Sequence, residues 1–297
     1  MKTPIFTGSC VAIVTPFNAN GVDYEKFDEL LEFQIANGTD AICVCGTTGE
    51  SSTQTLEEHK QVISYAVKKI AGRCKVIAGA GSNDTMAALE LALSAEEDGV
   101  DGLLMVTPYY NKATQKGLIA HYTYVADRVH TPIILYNVPG RTGVGFTAAT
   151  YAALSKHPMI NGIKEASGNF SLISQTRALC GDEMNIWSGN DDQVVPLMAM
   201  GGKGVISVLA NIQPQVVRDL TQLCLEGKFA GAAQMQADYQ KLNDVMFVEV
   251  NPIPIKTAMN LAGMNAGMLR LPLCEMEEGN LAKLKSVMSE YGLLKAE

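Results

Sequence analysis

The chain has 297 residues, of which 47% are apolar and 18% charged, a composition that excludes an intrinsically disordered protein. It carries 23 Lys and Arg against 31 Asp and Glu, and the resulting net charge of −8 argues against nucleic acid or an anionic membrane as the main partner. The sequence contains no long uninterrupted apolar stretch, so we predict no transmembrane helix. No small-residue cleavage site follows the apolar run near the N-terminus, so we expect no signal peptide.

The cysteines and histidines indicate a reduced, metal-free protein. None of the seven Cys forms a CxxC pair, and several lie inside apolar runs, which is typical of buried thiols in a cytoplasmic protein. The four His form no HExxH motif and lie near no Cys cluster, so we expect no metal site.

Short apolar runs recur along the chain, and longer helical patterns separate them. These runs are mostly continuous rather than alternating, as expected for strands that are buried on both faces. The predicted strands are Cys10–Phe17, Ala41–Gly46, Lys75–Gly81, Gly102–Pro108, Pro132–Pro139, Ile160–Ser167, Asn185–Asn190 and Gly204–Leu209. The helical segments between them include Tyr24–Asn37, Leu56–Ala71, Thr85–Asp98 and Thr114–Arg128.

Helix boundary signals agree with this reading. Thr55 and Glu58 have the spacing of a capping box, in which each side chain bonds the backbone N–H of the other residue. Asp23 is a plausible N-cap and Pro214 suits the first turn of a helix. Helix ends are expected at Asn37-Gly38, Ala71-Gly72 and Asp98-Gly99.

Eight strand–helix units predict an α/β fold, a (β/α)8 TIM barrel over residues 1–227, with a doubly wound open sheet as the alternative. The eighth helix should end near Gly227. Residues 228–297 are predicted to form an added C-terminal helical region that packs against the barrel. Its predicted helices are Lys228–Met246, Ile253–Gly263 and Asn280–Gly292.

A barrel places its chemistry at the C-terminal ends of its strands, where this chain carries an unusual lysine. Lys164 lies well inside an apolar strand, and a buried ammonium must be neutral, paired or functional. Desolvation would make its amine a nucleophile toward a carbonyl, which predicts a Schiff base. The alternative is a lysine whose amine reaches solvent at the end of the strand.

Two further strand ends could bind carboxylates. Gly46-Thr47-Thr48-Gly49-Glu50 offers a tight turn with free N–H groups and two hydroxyls, although an ordinary strand–helix turn explains this segment equally well. Tyr136 and Arg141 share one loop, where a tyrosine can relay protons and an arginine can bind a second carboxylate. The alternatives are a packed tyrosine and a surface ion pair.

Other common site motifs are absent from the sequence. The glycine-rich loop lacks the Gly-Lys-Ser/Thr ending of a P-loop, and neither a GxGxxG motif after a strand nor a GxSxG elbow occurs. Asp191 and Asp192 begin the predicted seventh helix, where we expect them to cap it and compensate its dipole rather than bind a metal.

Six blocks, in this order along nearly the whole chain, resemble the dihydrodipicolinate synthase family, which belongs to the N-acetylneuraminate lyase superfamily of Schiff-base aldolases. They are Gly46–Glu50, Thr107–Asn111, Tyr136–Gly143, Gly162–Gly168, Gly204–Val208 and Asn251–Lys256. The resemblance implies condensation of pyruvate with L-aspartate 4-semialdehyde to 4-hydroxy-tetrahydrodipicolinate, in lysine and diaminopimelate biosynthesis. This chemistry requires neither an organic cofactor nor a metal.

The resemblance also implies roles for individual residues. Lys164 would form the imine with pyruvate, Thr47 and Thr48 would hold the pyruvate carboxylate, and Arg141 would bind the carboxylate of the semialdehyde. Tyr136, Thr48 and a Tyr110 from a neighbouring subunit would relay protons, within a homotetramer built from two dimers. The pocket lining would include Gly189 and Ile206.

Relatives that are inhibited by lysine bind it at the dimer interface. This chain retains polar candidates for such an effector site, namely Ser51, Ser52, His59, Asn83 and Tyr109. It has Ala87 where inhibited relatives carry a glutamate, and Leu56 where they carry a histidine, so we expect weak inhibition or none.

Two other functions stay open from the residues alone. One is a related pyruvate-dependent aldolase or lyase acting on a longer 2-keto acid, which would keep Lys164 and Tyr136 but should not need Arg141. The other is a non-catalytic barrel that binds small acids, against which the complete set of Lys164, Tyr136 and Thr48 argues.

Overall fold

Eight parallel strands close into a barrel in the computed structural model of this protein, which describes residues 1–295. They are β1 (Gly8–Ala12), β2 (Ala41–Val44), β3 (Lys75–Gly79), β4 (Gly102–Val106), β5 (Ile133–Asn137), β6 (Ile160–Glu165), β7 (Asn185–Ser188) and β8 (Gly204–Ser207). Each strand pairs with the next along the chain, and β8 closes the ring against β1 with Gly204 opposite Gly8. The predicted (β/α)8 barrel is confirmed, and the doubly wound sheet is excluded.

Helices follow all eight strands and surround the barrel. They are α1 (Tyr24–Ala36), α2 (Leu56–Ile70), α3 (Thr85–Asp98), α4 (Gln115–Ala126), α5 (Ala148–Leu154), α6 (Phe170–Cys180), α7 (Val194–Ala199) and α8 (Pro214–Leu225). Shorter pieces lie in the loops: a hairpin of Phe17–Asn18 with Gly21–Val22, one α-helical turn at Pro139–Thr142, and 3₁₀ turns at Ser51–Thr53, Gly181–Glu183, Asp191–Gln193 and Leu209–Asn211.

The predicted helix boundaries are confirmed where capping chemistry marked them. The Thr55 hydroxyl accepts from the Glu58 N–H at 3.1 Å, and the Glu58 carboxylate accepts from the Thr55 N–H at 3.0 Å. The Asp23 carboxylate accepts from the Lys26 N–H and so caps α1. At the C-terminal end of α3, Gly99 takes the left-handed conformation that glycine adopts without strain.

The predicted first strand is wrong at its C-terminal end, because β1 stops at Ala12. Beyond it the backbone bonds side chains: the Val14 N–H donates to the Asn211 amide oxygen at 3.0 Å. Pro16 then lacks an N–H altogether, and Phe17 begins the separate hairpin. The other seven predicted strands are present, each ending two residues or more before its predicted end.

The strands sort their side chains between two cores with the alternation expected of a pleat. Along β5, Ile134 and Tyr136 point into the barrel, whereas Ile133 and Leu135 pack outward against the helices. The barrel interior also contains Phe6, Cys10, Ala12, Ala41, Cys43, Ile77, Leu104, Val138, Trp187 and Ile206. Side chains therefore fill the barrel, and ligand access is confined to its ends.

Four more helices follow the barrel: α9 (Phe229–Asp238), α10 (Gln240–Val245), α11 (Ile253–Leu261) and α12 (Glu278–Glu290). The prediction of a single helix over Lys228–Met246 is wrong, because the helical conformation is interrupted at Tyr239, between α9 and α10. Buried residues of these helices, such as Leu242 and Leu284, join the outer core of the barrel. The division at residue 227 stays a prediction. Among residues 1–295, the helices are too short or too polar to cross a bilayer.

Candidate active site

Lys164 lies inside the C-terminal half of β6 and is only 5% exposed. It pairs with Tyr136 of β5, and its Nζ atom lies 4.3 Å from the centroid of the Tyr136 ring. Its neighbour Ile163 packs in the outer core, so the alternation of the strand points Lys164 into the barrel. No carboxylate within residues 1–295 pairs with its ammonium. The Lys164 amine is therefore buried, has no carboxylate partner among residues 1–295 and lies next to the Tyr136 phenol ring.

Two thiols share the barrel interior with this amine, and neither competes with it as a nucleophile. Cys10 and Cys43 are fully buried. Burial raises the pKa of the Cys43 thiol to about 11, although the nearby Lys164 charge acts in the opposite direction. Burial likewise raises the pKa of Cys10 well above its usual range. Both groups therefore stay neutral thiols at physiological pH.

Gly189 follows β7 and makes room for the lysine side chain. A Cβ atom at this position would lie 3.1 Å from Lys164 Cε and 2.8 Å from Ala166 Cβ, too close for either to remain in place. Ile206 on β8 is buried in the same interior cluster as Tyr136. Of the two positions predicted to line the pocket, Gly189 thus lies against the Lys164 side chain and Ile206 lies in the barrel interior.

The loop after β2 carries the Gly46–Glu50 motif in a tight conformation. Cys45 and Glu50, at either side, take positive φ angles of 54° and 55°, which are uncommon for residues with a side chain. The Glu50 N–H donates to the Thr47 carbonyl at 3.0 Å and closes the turn. Within the described chain, the N–H groups of Thr47 and Thr48 have no hydrogen-bond acceptor. They are available for a carboxylate.

Asn251, which precedes α11, connects this loop to the arginine. Its Nδ2 donates to the Thr48 hydroxyl at 3.0 Å, and its carbonyl accepts from Arg141 Nη2 at 3.3 Å. Arg141 is exposed, and no carboxylate of residues 1–295 lies within salt-bridge distance of it. Sequence reasoning included Asn251 in a family block and gave it no role. The only signal was that block, since the contact joins residues 203 positions apart.

An ion pair inside the protein fixes the same loop from the side of α11. Lys256 Nζ donates to Glu50 Oε1 at 2.7 Å, to the Thr15 carbonyl at 2.9 Å and to the Met268 carbonyl at 2.6 Å. Burial lowers the pKa of Lys256, while the Glu50 carboxylate opposes that shift. The same ammonium thus joins the Gly46–Glu50 loop to α11 and to the segment that follows β1.

A cavity of about 510 Å³ opens beside this loop. Thr47 and Arg141 line it, together with most of the residues proposed as an effector site: Ser51, Ser52, His59 and Tyr109, with Leu56 and Ala87. Asn83 does not line it, and its Nδ2 donates to the Tyr109 carbonyl at 3.1 Å. Thr47 and Arg141 therefore share one cleft with four of the five residues predicted to form an effector site.

His59, at the inner side of this cleft, is held by the barrel. Its Nε2 contacts the Gly79 carbonyl at 2.6 Å, and burial lowers its pKa. The imidazole is therefore neutral at physiological pH, and only its Nδ1 remains for a ligand.

The proposed proton relay is not joined within one chain. The Tyr136 hydroxyl has no hydrogen-bond partner among the described residues, and Thr48 instead bonds Asn251. Tyr110 is 88% exposed, and its backbone has a strained φ of 74°. The structure therefore brings Lys164 and Tyr136 together and leaves Tyr110 directed at solvent.

The prediction that Asp191 caps the seventh helix is wrong. Its carboxylate instead accepts from the Val208 and Leu209 N–H groups at 2.9 and 3.0 Å, so it anchors the loop after β8. Asp192 lies in the 3₁₀ turn before α7 and does not cap that helix by a side-chain bond. Across residues 1–295, no three His, Cys, Asp or Glu side chains converge in a way that could hold a metal ion.

The model of the dihydrodipicolinate synthetase family matches residues 5–291. The chain belongs to this family. The 4-hydroxy-tetrahydrodipicolinate synthase of Thermoanaerobacter sp. strain X514 is 54% identical over 293 residues, which cover 98% of this chain and 99% of the relative. The resemblance inferred from the six sequence blocks is confirmed.

Solved structures of relatives share the whole fold. The dihydrodipicolinate synthase of Aquifex aeolicus is 47% identical with a TM-score of 0.96, over 98% of this chain and 100% of that one. The chloride-inhibited synthase of Acinetobacter baumannii, in complex with pyruvate, is 39% identical with a TM-score of 0.95, over 97% and 100% of the two chains. The (β/α)8 architecture is thus that of the family.

Proposed function

We propose that this enzyme condenses pyruvate with L-aspartate 4-semialdehyde, through an imine on Lys164, to give 4-hydroxy-tetrahydrodipicolinate for lysine and diaminopimelate biosynthesis. The observation that carries the proposal is the buried Lys164 amine, which has no acid partner and lies 4.3 Å from the Tyr136 ring centroid. The relative from Thermoanaerobacter sp. strain X514 carries the same activity in its name, and the synthase of Acinetobacter baumannii has been solved with pyruvate.

The first half of the reaction activates pyruvate. The Lys164 amine attacks the ketone carbon, water leaves, and the resulting iminium withdraws electrons from the methyl group. Tyr136 donates the proton with which the hydroxyl of the carbinolamine leaves as water, and the resulting phenolate then takes a methyl proton, which gives the enamine. The neutral thiols of the barrel interior leave Lys164 as the nucleophile in this space.

The second half forms the new bond and releases the enzyme. The enamine carbon attacks the aldehyde carbon of the semialdehyde, and the new alkoxide takes a proton from the relay. The amino group of the semialdehyde then attacks the imine carbon, closes the six-membered ring and displaces the Lys164 amine. Atoms balance with the loss of one water per turnover.

Two acidic substrates need two carboxylate sites. The N–H groups of Thr47 and Thr48 suit the pyruvate carboxylate, because they have no acceptor within residues 1–295 and lie in a turn beside the barrel mouth. Arg141 suits the carboxylate of the semialdehyde, because its guanidinium faces the cleft without an acidic partner in residues 1–295.

We propose a homo-oligomer whose smallest complete unit is a dimer, and a tetramer built from two such dimers. A tyrosine that is 88% exposed on a strained backbone is costly in an isolated chain, and a neighbour that takes Tyr110 into its own relay would account for it. A cytoplasmic location belongs to the same proposal, supported by seven free cysteines.

The test is product formation from pyruvate and the semialdehyde, detected by mass spectrometry. N-acetylneuraminate and a 2-keto-3-deoxy sugar acid serve as the competing substrates. We expect turnover with the semialdehyde alone, and Lys164→Arg, which keeps the charge, should lower kcat by at least about 10³-fold. Cleavage of a sugar acid at a comparable rate, or full activity of Lys164→Arg, would contradict the proposal.

A further inference from the structure

We propose that Asn251 is a positioning residue that makes the Thr48 hydroxyl a hydrogen-bond donor toward the reacting atoms. The inference rests on the proposed function, in which Thr48 takes part in the proton relay. It assigns a role to a residue outside the barrel, since Asn251 lies in the segment between α10 and α11.

The orientation of the Asn251 side-chain amide gives this hydrogen bond its direction. Asn251 is 5% exposed, and its Nδ2 lies 3.0 Å from the Thr48 hydroxyl oxygen. A hydroxyl has one proton and two lone pairs, and an amide nitrogen can only donate. Asn251 therefore occupies a lone pair of Thr48 and leaves its proton for another acceptor. Within the described chain that proton has no acceptor, so it is free for Tyr136 or for substrate.

Asn251 holds both polar sides of the site at once. Its side chain bonds Thr48, and its carbonyl accepts from Arg141 Nη2 at 3.3 Å. The Lys256–Glu50 pair anchors the segment that follows, since it joins α11 to the loop that carries Thr48. The Oδ1 atom of Asn251 is buried without a partner among residues 1–295, so the side-chain amide is held only by the hydrogen bond that its Nδ2 donates.

Aspartate at this position would reverse the hydrogen bond. An ionised carboxylate only accepts, so the Thr48 hydroxyl would donate to it and leave the relay. A protonated carboxyl can donate and would restore the native direction. Burial raises the pKa of a carboxyl, so the restoration should come as the pH falls. Arg141 bonds the Asn251 carbonyl, and the other charged or titratable groups of the site are the Lys256–Glu50 pair, which joins α11 to the loop of Thr48, and Lys164 and Tyr136 in the barrel.

The test compares the pH dependence of kcat for Asn251→Asp and wild type at saturating pyruvate and semialdehyde. Near pH 8 we expect Asn251→Asp to be slower by about 10²-fold, the scale of a lost proton-transfer group. Near pH 6 the deficit should shrink at least about fivefold, as the new carboxyl becomes protonated. Asn251→Ala should show a smaller deficit that does not change with pH. A purely structural role would give both variants the same pH-independent deficit, and that result would overturn the proposal.

Asn243→Asp is the matched control. Asn243 is also a buried asparagine that follows the barrel and has an unpartnered Oδ1, but it lies in α10 and does not bond Thr48. Its kcat ratio to wild type should not change with pH. A pH dependence like that of Asn251→Asp would show that any buried charge in this region has the effect, and would overturn the proposal.

A double-mutant cycle keeps the inference testable if Asn251→Asp does not fold. If Asn251 acts through the Thr48 hydroxyl, Asn251→Ala should cost little further kcat in a Thr48→Val background. Additive losses would overturn the positioning role. Pyruvate trapping on Lys164 separates this result from the proposed function, because wild type that forms no imine refutes the function, whereas an imine with additive losses refutes only the role of Asn251.

Discussion

The buried ion pair between Lys256 and Glu50 allows a quantitative test of how α11 holds the Gly46–Glu50 loop. Lys256 is 1% exposed, and its ammonium donates to one carboxylate and two carbonyls at 2.6–2.9 Å. Lys256→Met keeps much of the side-chain length and removes the charge. The Glu50 carboxylate then keeps only the Arg270 N–H, at 3.1 Å, among its present partners.

The expected loss follows from this inventory. Removing one partner of a buried pair leaves an uncompensated charge and costs about 3–5 kcal/mol of the free energy of unfolding. At about 2–3 °C per kcal/mol for a chain of this size, Tm should fall by roughly 6–15 °C. Adding Glu50→Gln to Lys256→Met removes the orphaned charge, so the double variant should recover about half of the loss or more.

The assay is urea and thermal unfolding of the wild type and the two variants at one protein concentration. Lys60→Met is the matched control, because Lys60 pairs with Glu90 at the surface at the same 2.7 Å. That exposed pair should contribute less than about 1 kcal/mol. If Lys256→Met unfolds within about 1 kcal/mol of wild type, or if Glu50→Gln deepens its loss, the account of the loop is wrong.

Three further predictions concern acid stability, substrate recognition and inhibition. Hydrogen bonds from Arg270 are the main cause that lowers the pKa of Glu58 to about 2. The pair should therefore lose its contribution of about 1 kcal/mol to the free energy of unfolding as the pH falls from the ordinary carboxyl range toward 2. Glu58→Gln should abolish this part of the acid dependence of unfolding. Arg141→Ala should weaken binding of the semialdehyde by roughly 2–5 kcal/mol, and so raise its KM, while KM for pyruvate stays nearly unchanged; equal effects on both KM values would refute its role. Lysine should inhibit weakly or not at all, because Leu56 and Ala87 give its ammonium no acidic partner in the cleft. The lost counter-charge should weaken lysine binding by about 30-fold or more. Half-inhibition below about 1 mM lysine would refute this prediction.

The barrel could be predicted from sequence because apolar runs and helical patterns alternate eight times, and capping residues such as Thr55 mark the helix boundaries. Strand ends were less predictable. Residues that follow the strands, such as Cys45, are apolar and so extend the pattern, yet the backbone has already turned there, with a φ of 54°. The break at Tyr239 between α9 and α10 has neither Gly nor Pro to mark it.

The residues of the candidate site also differ in how well the sequence predicts them. Lys164 could be found from sequence because an ammonium inside an apolar strand has few structural explanations. Asn251 could not, because its bond to Thr48 spans 203 positions and asparagine is ordinary in a loop. The effect of Asp191 on the loop after β8 was missed for the same reason, since local patterns suggest a helix cap and only the pairing of β7 with β8 brings Asp191 to that loop.

The most direct test of the central claim is reduction of the enzyme by borohydride in the presence of pyruvate, followed by peptide mass spectrometry. The buried, acid-free amine of Lys164 predicts one three-carbon adduct, on Lys164, and none on the equally buried Lys256, whose ammonium is bound to Glu50. An adduct on Lys256 or on another lysine, or none at all in an active preparation, would contradict the Schiff-base mechanism.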